Sequence, residues 1–403
     1  MPKALEGMKI LDCTQWEAGT SCTEQLAFLG ADVVKVEPPG RGETGRTVNL
    51  TREDMAAGID SWYFVSLNAN KRSVTLNLKS KKGVEMFKEM AKKADIVVSN
   101  FVPGTMDELG VGYAVLSKIN PKLVYAEKSG FGKGGPYQDY ASMDPVAKAT
   151  GGSYSVVGLT NDKIDTGPLN PGPTIGDTGS GMHMAIGILA AYIYAQRTGE
   201  GQFVDQSMAD AVINLMRVRM ASAGTYSPTH NVARRQVETD VLKCAGGGPN
   251  DYAYAVISTD KHFEAAMQLI GRNDLLNSEM RTDRIARQAK MNVIRMALED
   301  WTKTKPKMEV FHTLAKLGIP AAPVLDTAEV IADPHFNQRG MIVEFNHPKR
   351  GKFKMPGCPI RLSKNDYEYR AAPLLGADTE GVLKEWLGLS KEDVAKLRTE
   401  KVV

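Results

Sequence analysis

The sequence predicts an α/β protein, with a large domain built on a doubly wound parallel sheet and a smaller α+β domain. Two observations indicate this. In the N-terminal half, short apolar runs alternate with amphipathic stretches of helical length, and parallel strands need crossover connections of that kind. At 198–202 (TGEGQ) a glycine-rich turn interrupts the alternation, and the pattern beyond it differs, which indicates a change of domain.

The strands of the large domain are predicted where short apolar or alternating runs occur. These runs are 8–11, 31–36, 73–78, 95–98 and 123–126. Helices are predicted between them over 21–29 and 81–93, where apolar residues recur at helical spacing. The most apolar stretch, 182–195, is too short to span a bilayer, which takes about 20 residues, so we predict a buried helix there.

Beyond residue 200 the sequence predicts a strand over 203–205, a long helix over 207–223 and a long polar loop over 227–250. The remaining predicted elements are strands over 252–257 and 341–345 and helices over 262–271, 286–301, 311–318 and 380–387. The expected domain organisation in chain order is a large domain 1–200, a linker helix 201–225, a small domain 226–325, a return linker 326–334 and a segment 335–403 that completes the large domain.

Composition and charge exclude several classes of function. The 403 residues include 50 Lys and Arg against 47 Asp and Glu, a formal net charge of +3, which is too small for an extended nucleic-acid surface. The 4 cysteines form no C-x-x-C pair and the 6 histidines are scattered. We therefore expect neither a disulfide framework nor a bound metal, and a cytoplasmic location. The first residues carry no apolar signal segment, and we expect no membrane association.

Two aspartates stand in segments that suit either catalysis or helix capping. Asp177 lies in 176–183 (GDTGSGMH), directly before the apolar helix, where a carboxylate stays ionised and can act as a nucleophile. The alternative is that Asp177 only caps that helix. Asp144 precedes Pro145, the pattern of an N-cap followed by the first helical residue. Local sequence alone favours capping at both positions.

Two glycine-containing segments have less specific meanings. The segment 12–19 (DCTQWEAG) follows the first strand, and its glycine would let backbone N–H groups approach an anion. It lacks the G-x-G-x-x-G pattern, which argues against an NAD-dependent oxidoreductase. The glycines of 244–250 (CAGGGPN) fit either a mobile loop over a site or a simple turn.

Taken together, these segments resemble the class III coenzyme A transferases, the CaiB/BaiF-like family. The resemblance runs over nearly the whole chain in the family's order. The segments that carry it are LEGMKILD at 5–12, LGADVVKVEPPGRGE at 29–43, NANKRSVTLNLKS at 68–80, ADIVVSNFVPGTMDELG at 94–110, NPKLVYAEKSGFGKGGP at 120–136, IGDTGSGMH at 175–183, TGEGQFVDQSMADA at 198–211 and GIPAAPV at 318–324. The resemblance implies a Rossmann-like large domain and a dimer of interlocked rings.

The resemblance also implies a mechanism centred on Asp177. In the family, the aspartate of the G-D-x-x-x-G segment is the nucleophile, and it carries CoA as an aspartyl-CoA thioester between an acyl-CoA donor and a carboxylic acid acceptor. Glu17 and Gly179 belong to the segments expected to supply N–H groups to the oxyanions. Asp144 matches an acidic residue close to the nucleophile. The coenzyme A thioester is a substrate, and no tightly bound cofactor or metal is implied.

The resemblance implies that residues at five positions of this chain contact coenzyme A. Trp16 matches an apolar side chain against CoA, and Lys79 matches a lysine near the CoA phosphates. Leu76 matches a contact on the adenine side. Asn100 and Phe101 match the N-F pair beside the nucleotide.

The chain departs from the family pattern at several of these places. Glu17 stands where the formyl-CoA:oxalate enzyme has a glutamine beside its oxalate site, and the added charge disfavours a small dianion. Arginines expected for CoA phosphates are replaced by Pro38 and Glu108.

The family's tetraglycine loop falls in a segment that is shorter here. Gly247 aligns beyond the loop position, and two alternatives stay open. Either 246–248 covers the active site, or the polar loop around Arg234 and Arg235 lines the acceptor pocket, where arginines suit a carboxylate.

We therefore expect an acceptor other than oxalate, with a succinyl-CoA-dependent reaction on a larger or aromatic acid, such as benzylsuccinate, as the best fit. Formyl-CoA:oxalate transfer is one alternative. An α-methylacyl-CoA racemase is another, with His183 as the nearest histidine, and a non-catalytic CoA-binding subunit is a third. A homodimer is expected, with a hetero-oligomer containing a related subunit as the alternative.

Overall fold

The computed structural model describes residues 3–158, 160–161, 164–225 and 241–403. The chain divides into two compact units, Met1–Arg235 with Arg339–Val403, and Gln236–Gln338. The C-terminal segment thus belongs to the same unit as the N-terminal half. This division does not test the domain and linker boundaries expected from the sequence, which stay a prediction.

Strands and helices alternate through much of the first unit. The strands in the described residues are β1 (Lys9–Cys13), β2 (Asp32–Glu37), β3 (Arg72–Thr75), β4 (Ile96–Ser99), β5 (Val124–Ser129), β6 (Thr160–Asn161), β7 (Ile164–Asp165), β8 (Phe203–Ser207), β9 (Val241–Lys243), β10 (Tyr252–Ala255), β11 (Ala321–Pro323), β12 (Ile342–His347) and β13 (Gly351–Pro356). The helices in the same residues are α1 (Ala18–Phe28), α2 (Arg52–Ala56), α3 (Trp62–Val65), α4 (Lys81–Ala91), α5 (Thr105–Glu108), α6 (Tyr113–Ile119), α7 (Asp144–Thr150), α8 (Ser180–Thr198), α9 (Met208–Leu215), α10 (Arg217–Thr225), α11 (Asp260–Leu269), α12 (Asn273–Leu276), α13 (Arg284–Ala289), α14 (Met291–Thr302), α15 (Lys307–Lys316), α16 (Thr327–Ala332), α17 (Pro334–Gln338), α18 (Thr379–Leu387) and α19 (Lys391–Thr399).

A parallel sheet forms the centre of the first unit. Within the described residues its strands run in the order β3-β2-β1-β4-β5-β8, and every neighbouring pair is parallel. The chain moves outward in one direction from β1 to β3 and in the other from β4 to β8, so the direction reverses between β1 and β4. This is the doubly wound arrangement, and the predicted fold class is confirmed.

Hydrophobic cores cover both faces of this sheet. Along the central strands, Leu11 and Val97 join one core, whereas Ile10, Ile96 and Val98 join the other. Successive side chains of a strand point to opposite faces, so a strand buried on both sides has the nearly continuous apolar sequence seen here. Helices α4 and α18 supply the first core, and α1 and α8 supply the second.

The second unit has its own sheet and core. Strands β9, β10 and β11 pair antiparallel, with β10 in the middle. Apolar residues of these strands pack with α11, α14 and α15. This α+β composition agrees with the fold predicted for a smaller domain.

Three predicted elements differ from the structure. The single helix predicted over 207–223 is two helices, because the N–H of Met216 is shared between two preceding carbonyls and ends α9. The helix predicted over 286–301 is interrupted at Lys290, which has φ −109° and ψ 22°. The predicted loop over 227–250 contains β9, whose partner strand is β10, and its residues 227–240 lie outside the described part of the chain.

None of the helices in the described residues combines the length and the apolar character needed to cross a membrane.

Candidate active site

The predicted CoA-binding motifs meet where the sheet reverses direction. Backbone N–H of Gln15, after β1, donates to Asn100 Oδ1 at 2.8 Å, and Asn100 Nδ2, after β4, donates to Gln15 O at 2.7 Å. These reciprocal bonds bring Trp16 and Asn100 together at the carboxyl ends of adjacent strands. Open α/β sheets bind their ligands in this crevice.

Trp16 has an unusual backbone and a half-exposed ring. Its φ is +58°, the left-handed region that few side chains other than glycine adopt, and its N–H donates to Glu43 Oε2 at 3.1 Å. The indole lies edge-on to Tyr63, with ring centroids 6.3 Å apart. The loop is thereby held in a strained conformation that presents the indole at the mouth of the crevice.

The other predicted CoA residues differ in how accessible they are. Lys79 is exposed in the loop between β3 and α4, and Phe101 is half-buried after β4. Leu76 is only 1% exposed and belongs to a hydrophobic core. Its N–H donates to Glu37 O at 2.8 Å, and its predicted adenine contact stays a prediction.

A buried ionic network holds the loop after β1. Asp12 lies 3.1 Å from Lys71 Nζ and accepts hydrogen bonds from Thr14 N at 2.8 Å and Thr23 Oγ1 at 2.7 Å. Burial by itself would raise the pKa of Asp12, but Lys71, Lys35 and Thr14 outweigh it and lower the pKa to about 2. An ion pair buried with this many hydrogen bonds fixes geometry, because losing either partner leaves an unpaired charge.

Asp177 lies in a π-helical turn, Ile175–Gly179, that runs directly into α8. Such turns are rare and occur frequently at functional sites. Asp144 Oδ1 accepts from the N–H groups of Gly176 at 2.8 Å and Asp177 at 3.2 Å, and Lys148 Nζ holds Asp144 Oδ2 at 2.8 Å. Neither α7 nor α8 has a side-chain cap, so the capping interpretation of both aspartates is wrong. Asp144 instead holds the turn that carries Asp177.

The carboxylate of Asp177 is partly buried, and no described residue donates a hydrogen bond to its oxygens. Burial raises its pKa, and the charges of Glu17 and Asp144 raise it further against the opposing effect of Lys128 and Lys148, to about 7. A carboxylate with this pKa is partly ionised at neutral pH and is a stronger base than an ordinary aspartate.

Glu17 lies beside the Asp177 turn, at the start of α1. Its Oε1 accepts the hydroxyl hydrogen bonds of Thr174 and of Thr178, the latter at 2.6 Å. Helix α1 has no side-chain cap, which leaves its first N–H groups available to an anion. By contrast, the N–H groups of Gly176 and Asp177 already bond Asp144, so they are not free oxyanion donors.

Comparison with known proteins identifies the family of this chain. The model of CoA-transferase family III matches residues 5–379. The chain belongs to CoA-transferase family III. The resemblance predicted from the sequence motifs is confirmed, and the chain is a CoA-transferase enzyme.

Relatives of this family III transferase match it end to end. Formyl-CoA:oxalate CoA-transferase of Streptomyces coelicolor is 39% identical, and the match covers 100% of this chain and 99% of that enzyme. The enzyme of that name from Escherichia coli O157:H7 is 36% identical over 99% of both chains. A crystal structure of a CaiB/BaiF family protein from Brucella suis is 28% identical, with a TM-score of 0.80 over 96% of this chain and 100% of that chain.

Sequence reasoning missed Lys128, a buried lysine in contact with the Asp177 turn. It lies near the end of β5, a strand whose six residues are all buried. Its Nζ donates to Ala18 O at 2.9 Å and to Asp177 O at 3.2 Å, and contacts Ser180 Oγ. Burial lowers the pKa of Lys128 to about 7. The signal in the sequence was a lysine inside an otherwise buried central strand.

The remaining predicted site residues lie as follows. Gly179 ends the π-helical turn, and its carbonyl faces His183 Nδ1 at 2.8 Å. Gly247 lies in the second unit with φ +79°, beside a turn in which Gly248 N donates to Asp251 Oδ2 at 2.7 Å. Arg234 and Arg235 lie outside the described residues. The lid and acceptor-pocket predictions therefore stay predictions.

Within the residues that the structure describes, no group of three or more His, Cys, Asp or Glu side chains has the arrangement of a metal site.

Proposed function

We propose that this enzyme moves coenzyme A from an acyl-CoA to a carboxylic acid through an aspartyl-CoA thioester at Asp177. One observation carries the proposal. Asp177 presents a partly buried carboxylate without a hydrogen-bond partner among the described residues, on a rigidly held turn, with a pKa of about 7. A nucleophile needs exactly such a free, basic and oriented oxygen, whereas a structural carboxylate is normally paired.

The reaction proceeds in two symmetrical halves. Asp177 attacks the donor carbonyl, CoA leaves as a thiolate, and a mixed anhydride forms. The thiolate then attacks the aspartyl carbonyl, which releases the donor acid and leaves aspartyl-CoA. The acceptor carboxylate attacks this thioester and forms a second anhydride with release of the thiolate. The thiolate attacks the acceptor carbonyl, so the new acyl-CoA forms and the Asp177 carboxylate returns.

Each attack produces an oxyanion that needs hydrogen-bond donors. The uncapped N-terminus of α1, at Ala18 and Gly19, is the best supported source, because its N–H groups carry the positive end of the helix dipole. Packing also requires glycine at position 19, since a Cβ there would overlap Thr14. Gly179 stays a second candidate.

CoA would lie along the carboxyl ends of β1, β3 and β4. Trp16 offers an apolar surface, Lys79 a free ammonium group, and Asn100 and Phe101 the wall after β4. A single ammonium is enough to hold one phosphate, in keeping with the small net charge.

Glu17 supports an acceptor other than oxalate. Its carboxylate is held beside Asp177 by two hydroxyl groups, and its charge already raises the pKa of Asp177. A small dianion would add two further charges to this group. We infer a larger or aromatic acid such as a benzylsuccinate-like acceptor, with succinyl-CoA as donor. A succinate-type acid also has two carboxylates, but two carbons separate them, so its second charge lies further from Glu17 than that of oxalate would. Formyl-CoA:oxalate transfer is the second candidate, favoured by the names of the relatives.

The racemase alternative is disfavoured by His183. Its Nδ1 lies 2.8 Å from Gly179 O, and its Nε2 lies 2.7 Å from Asn214 Nδ2. A carbonyl and an amide hold both ring nitrogens, so neither is free to exchange a substrate proton. The presence of Asp177 likewise disfavours a non-catalytic subunit.

Oxygen-18 transfer tests the proposed mechanism. Acceptor labelled in its carboxylate should leave one labelled oxygen in the Asp177 carboxyl group after each turnover, detected by mass spectrometry of the peptide. Asp177→Asn should reduce turnover by about 10³-fold or more, while Asp139→Asn, which changes an exposed carboxylate of the same unit, should not. Turnover without label in Asp177 would exclude the covalent route.

An acceptor screen tests the substrate. With succinyl-CoA or formyl-CoA as donor, aryl-substituted acids should be used in preference to oxalate. Glu17→Gln should raise the use of oxalate, because it removes a negative charge and keeps the side-chain size. Equal preference for oxalate in the unchanged enzyme would support the formyl-CoA:oxalate alternative instead.

A further inference from the structure

Lys128 joins the two elements that the proposed chemistry requires. Its ammonium nitrogen lies between Ala18 O, at the start of α1, and Asp177 O, in the turn of the nucleophile, at 2.9 and 3.2 Å. Ser180 Oγ, at the start of α8, is the third contact. Lys128 is only 1% exposed, so these contacts are shielded from bulk solvent.

We propose that Lys128, as a cation, is the positioning residue that fixes the Asp177 turn against the N-terminus of α1. The inference rests on the proposed function. In this proposal, one buried side chain aligns the nucleophile with the N–H groups that stabilise the oxyanion.

With a pKa of about 7, Lys128 is mainly a cation below neutral pH, and the hydrogen-bond count supports this charged form. Lys128 faces two carbonyl oxygens and one hydroxyl oxygen, and an ammonium group donates to all three. The Ser180 hydroxyl then remains free to donate to the carbonyls of Gly176 and Asp177, the latter at 2.8 Å. A neutral amine has two N–H groups and a lone pair, so it would have to accept from the Ser180 hydroxyl, which could then no longer donate to the carbonyls of the turn.

The charge of Lys128 also acts on the nucleophile. It lowers the pKa of Asp177 against the burial and the carboxylates that raise it. The charged and titratable groups that face the two side chains come from four elements: Glu17 and Cys22 from α1, Tyr63 from α3, Lys128 from β5, and Asp144 and Lys148 from α7. Lys148 already bonds Asp144, so it cannot replace Lys128 at the turn.

Single-turnover acylation tests this inference. The enzyme is mixed with acyl-CoA without acceptor, and the aspartyl-CoA adduct is followed by intact-mass spectrometry across a pH series. Lys128→Met keeps the length of the side chain and should slow adduct formation about 100-fold, the size of effect that a small misalignment of reacting groups produces. The acidic limb of the rate should move to higher pH, because the pKa of Asp177 rises without the lysine charge.

Two further variants separate position from charge. Ser180→Ala removes one contact of Lys128 but no charge, so it should slow adduct formation about tenfold and leave the acidic limb in place. Lys133→Met removes a half-exposed lysine five residues further along the chain, which lies 3.2 Å from Glu127, and should change neither.

The outcomes distinguish this inference from the proposed function. A folded Lys128→Met enzyme with an unchanged rate of adduct formation and an unchanged pH profile overturns the positioning role. If Lys128→Met fails to fold, an unchanged rate in Ser180→Ala overturns it instead. Adduct formation in Asp177→Asn would overturn the proposed function itself, whatever the lysine variants do.

Discussion

At Asp177, burial and the neighbouring Glu17 carboxylate both raise the pKa, which reaches about 7. In the proposed mechanism the ionised form is the nucleophile, so kcat/KM for the donor should fall as the pH drops through about 7. Glu17→Gln removes the like charge and lowers the pKa of Asp177. In this variant the acidic limb of the kcat/KM profile should therefore move to lower pH by about one unit, measured over the pH range in which the enzyme stays folded.

A matched variant controls for this shift. Glu6→Gln changes an exposed carboxylate in the turn before β1 and should leave the limb unchanged. A limb in Glu17→Gln that stays in place, or moves to higher pH, would contradict the role given to Glu17.

The sequence near each aspartate could not separate catalysis from capping, because the deciding contacts are distant in the chain. Asp144 bonds a turn 32 and 33 residues further on, and that bond explains why neither aspartate is an N-cap. The family motif predicts that Asp177 is the nucleophile, whereas the local pattern favoured capping. Lys128 had no motif, and its partners come from two other elements.

Between α1 and α8, a glycine permits the close approach that the site requires. A Cβ on Gly181 would overlap Ser21 Oγ and come within 3.0 Å of Ala18 O. Gly181→Ala should therefore lower the free energy of unfolding by about 1–3 kcal/mol, the usual cost of overpacking, measured by urea denaturation. Since Ala18 is also a contact of Lys128, adduct formation should slow as well.

The control for this prediction is a helical glycine with open space. Gly381 lies in α18, and a Cβ there would meet nothing within 4 Å. Gly381→Ala should raise stability by about 0.5–1 kcal/mol through helix propensity. If Gly181→Ala were equally stabilising, the two helices would not be in the contact described.

At the scale of elements, apolar runs predicted the strands of the parallel sheet closely, because those strands are buried on both faces and need continuous apolar sequence. The helix breaks at Met216 and Lys290 were missed, since apolar periodicity continues across them. Strand β9 was missed because it is short and depends on pairing with β10 rather than on its own residues.

In the whole molecule, buried charge was the least predictable property. Lysine is rarely fully buried, so a lysine in a polar stretch such as Lys71 is expected at the surface. The structure instead buries Lys71 against Asp12, and Lys35 lies 2.8 Å from Thr14 O. Each partner lies on a different strand or loop, so only the assembled sheet reveals the pairing. These pairs fix the loops in which the chemistry is proposed.

The homodimer stays a prediction, and exposed apolar residues of the first unit support it. Ile186, Ile193, Ile213 and Val218, on α8, α9 and α10, are between 43% and 80% exposed, and α9 contacts both other helices. A surface of this kind is typical of an interface between chains. Light scattering should give twice the chain mass of 43.9 kDa, without change on dilution, because interlocked rings cannot separate while folded.

Substitution tests which surface forms this dimer. Ile186→Asp should lower the melting temperature or prevent assembly, because it buries a charge in the interface. Ile360→Asp changes a residue of the C-terminal segment that is 45% exposed, and it should leave assembly intact. A folded enzyme that is monomeric at every concentration would exclude the interlocked homodimer. Assembly only after co-expression with a related chain would instead support the hetero-oligomer, since the same apolar face would then require a different partner.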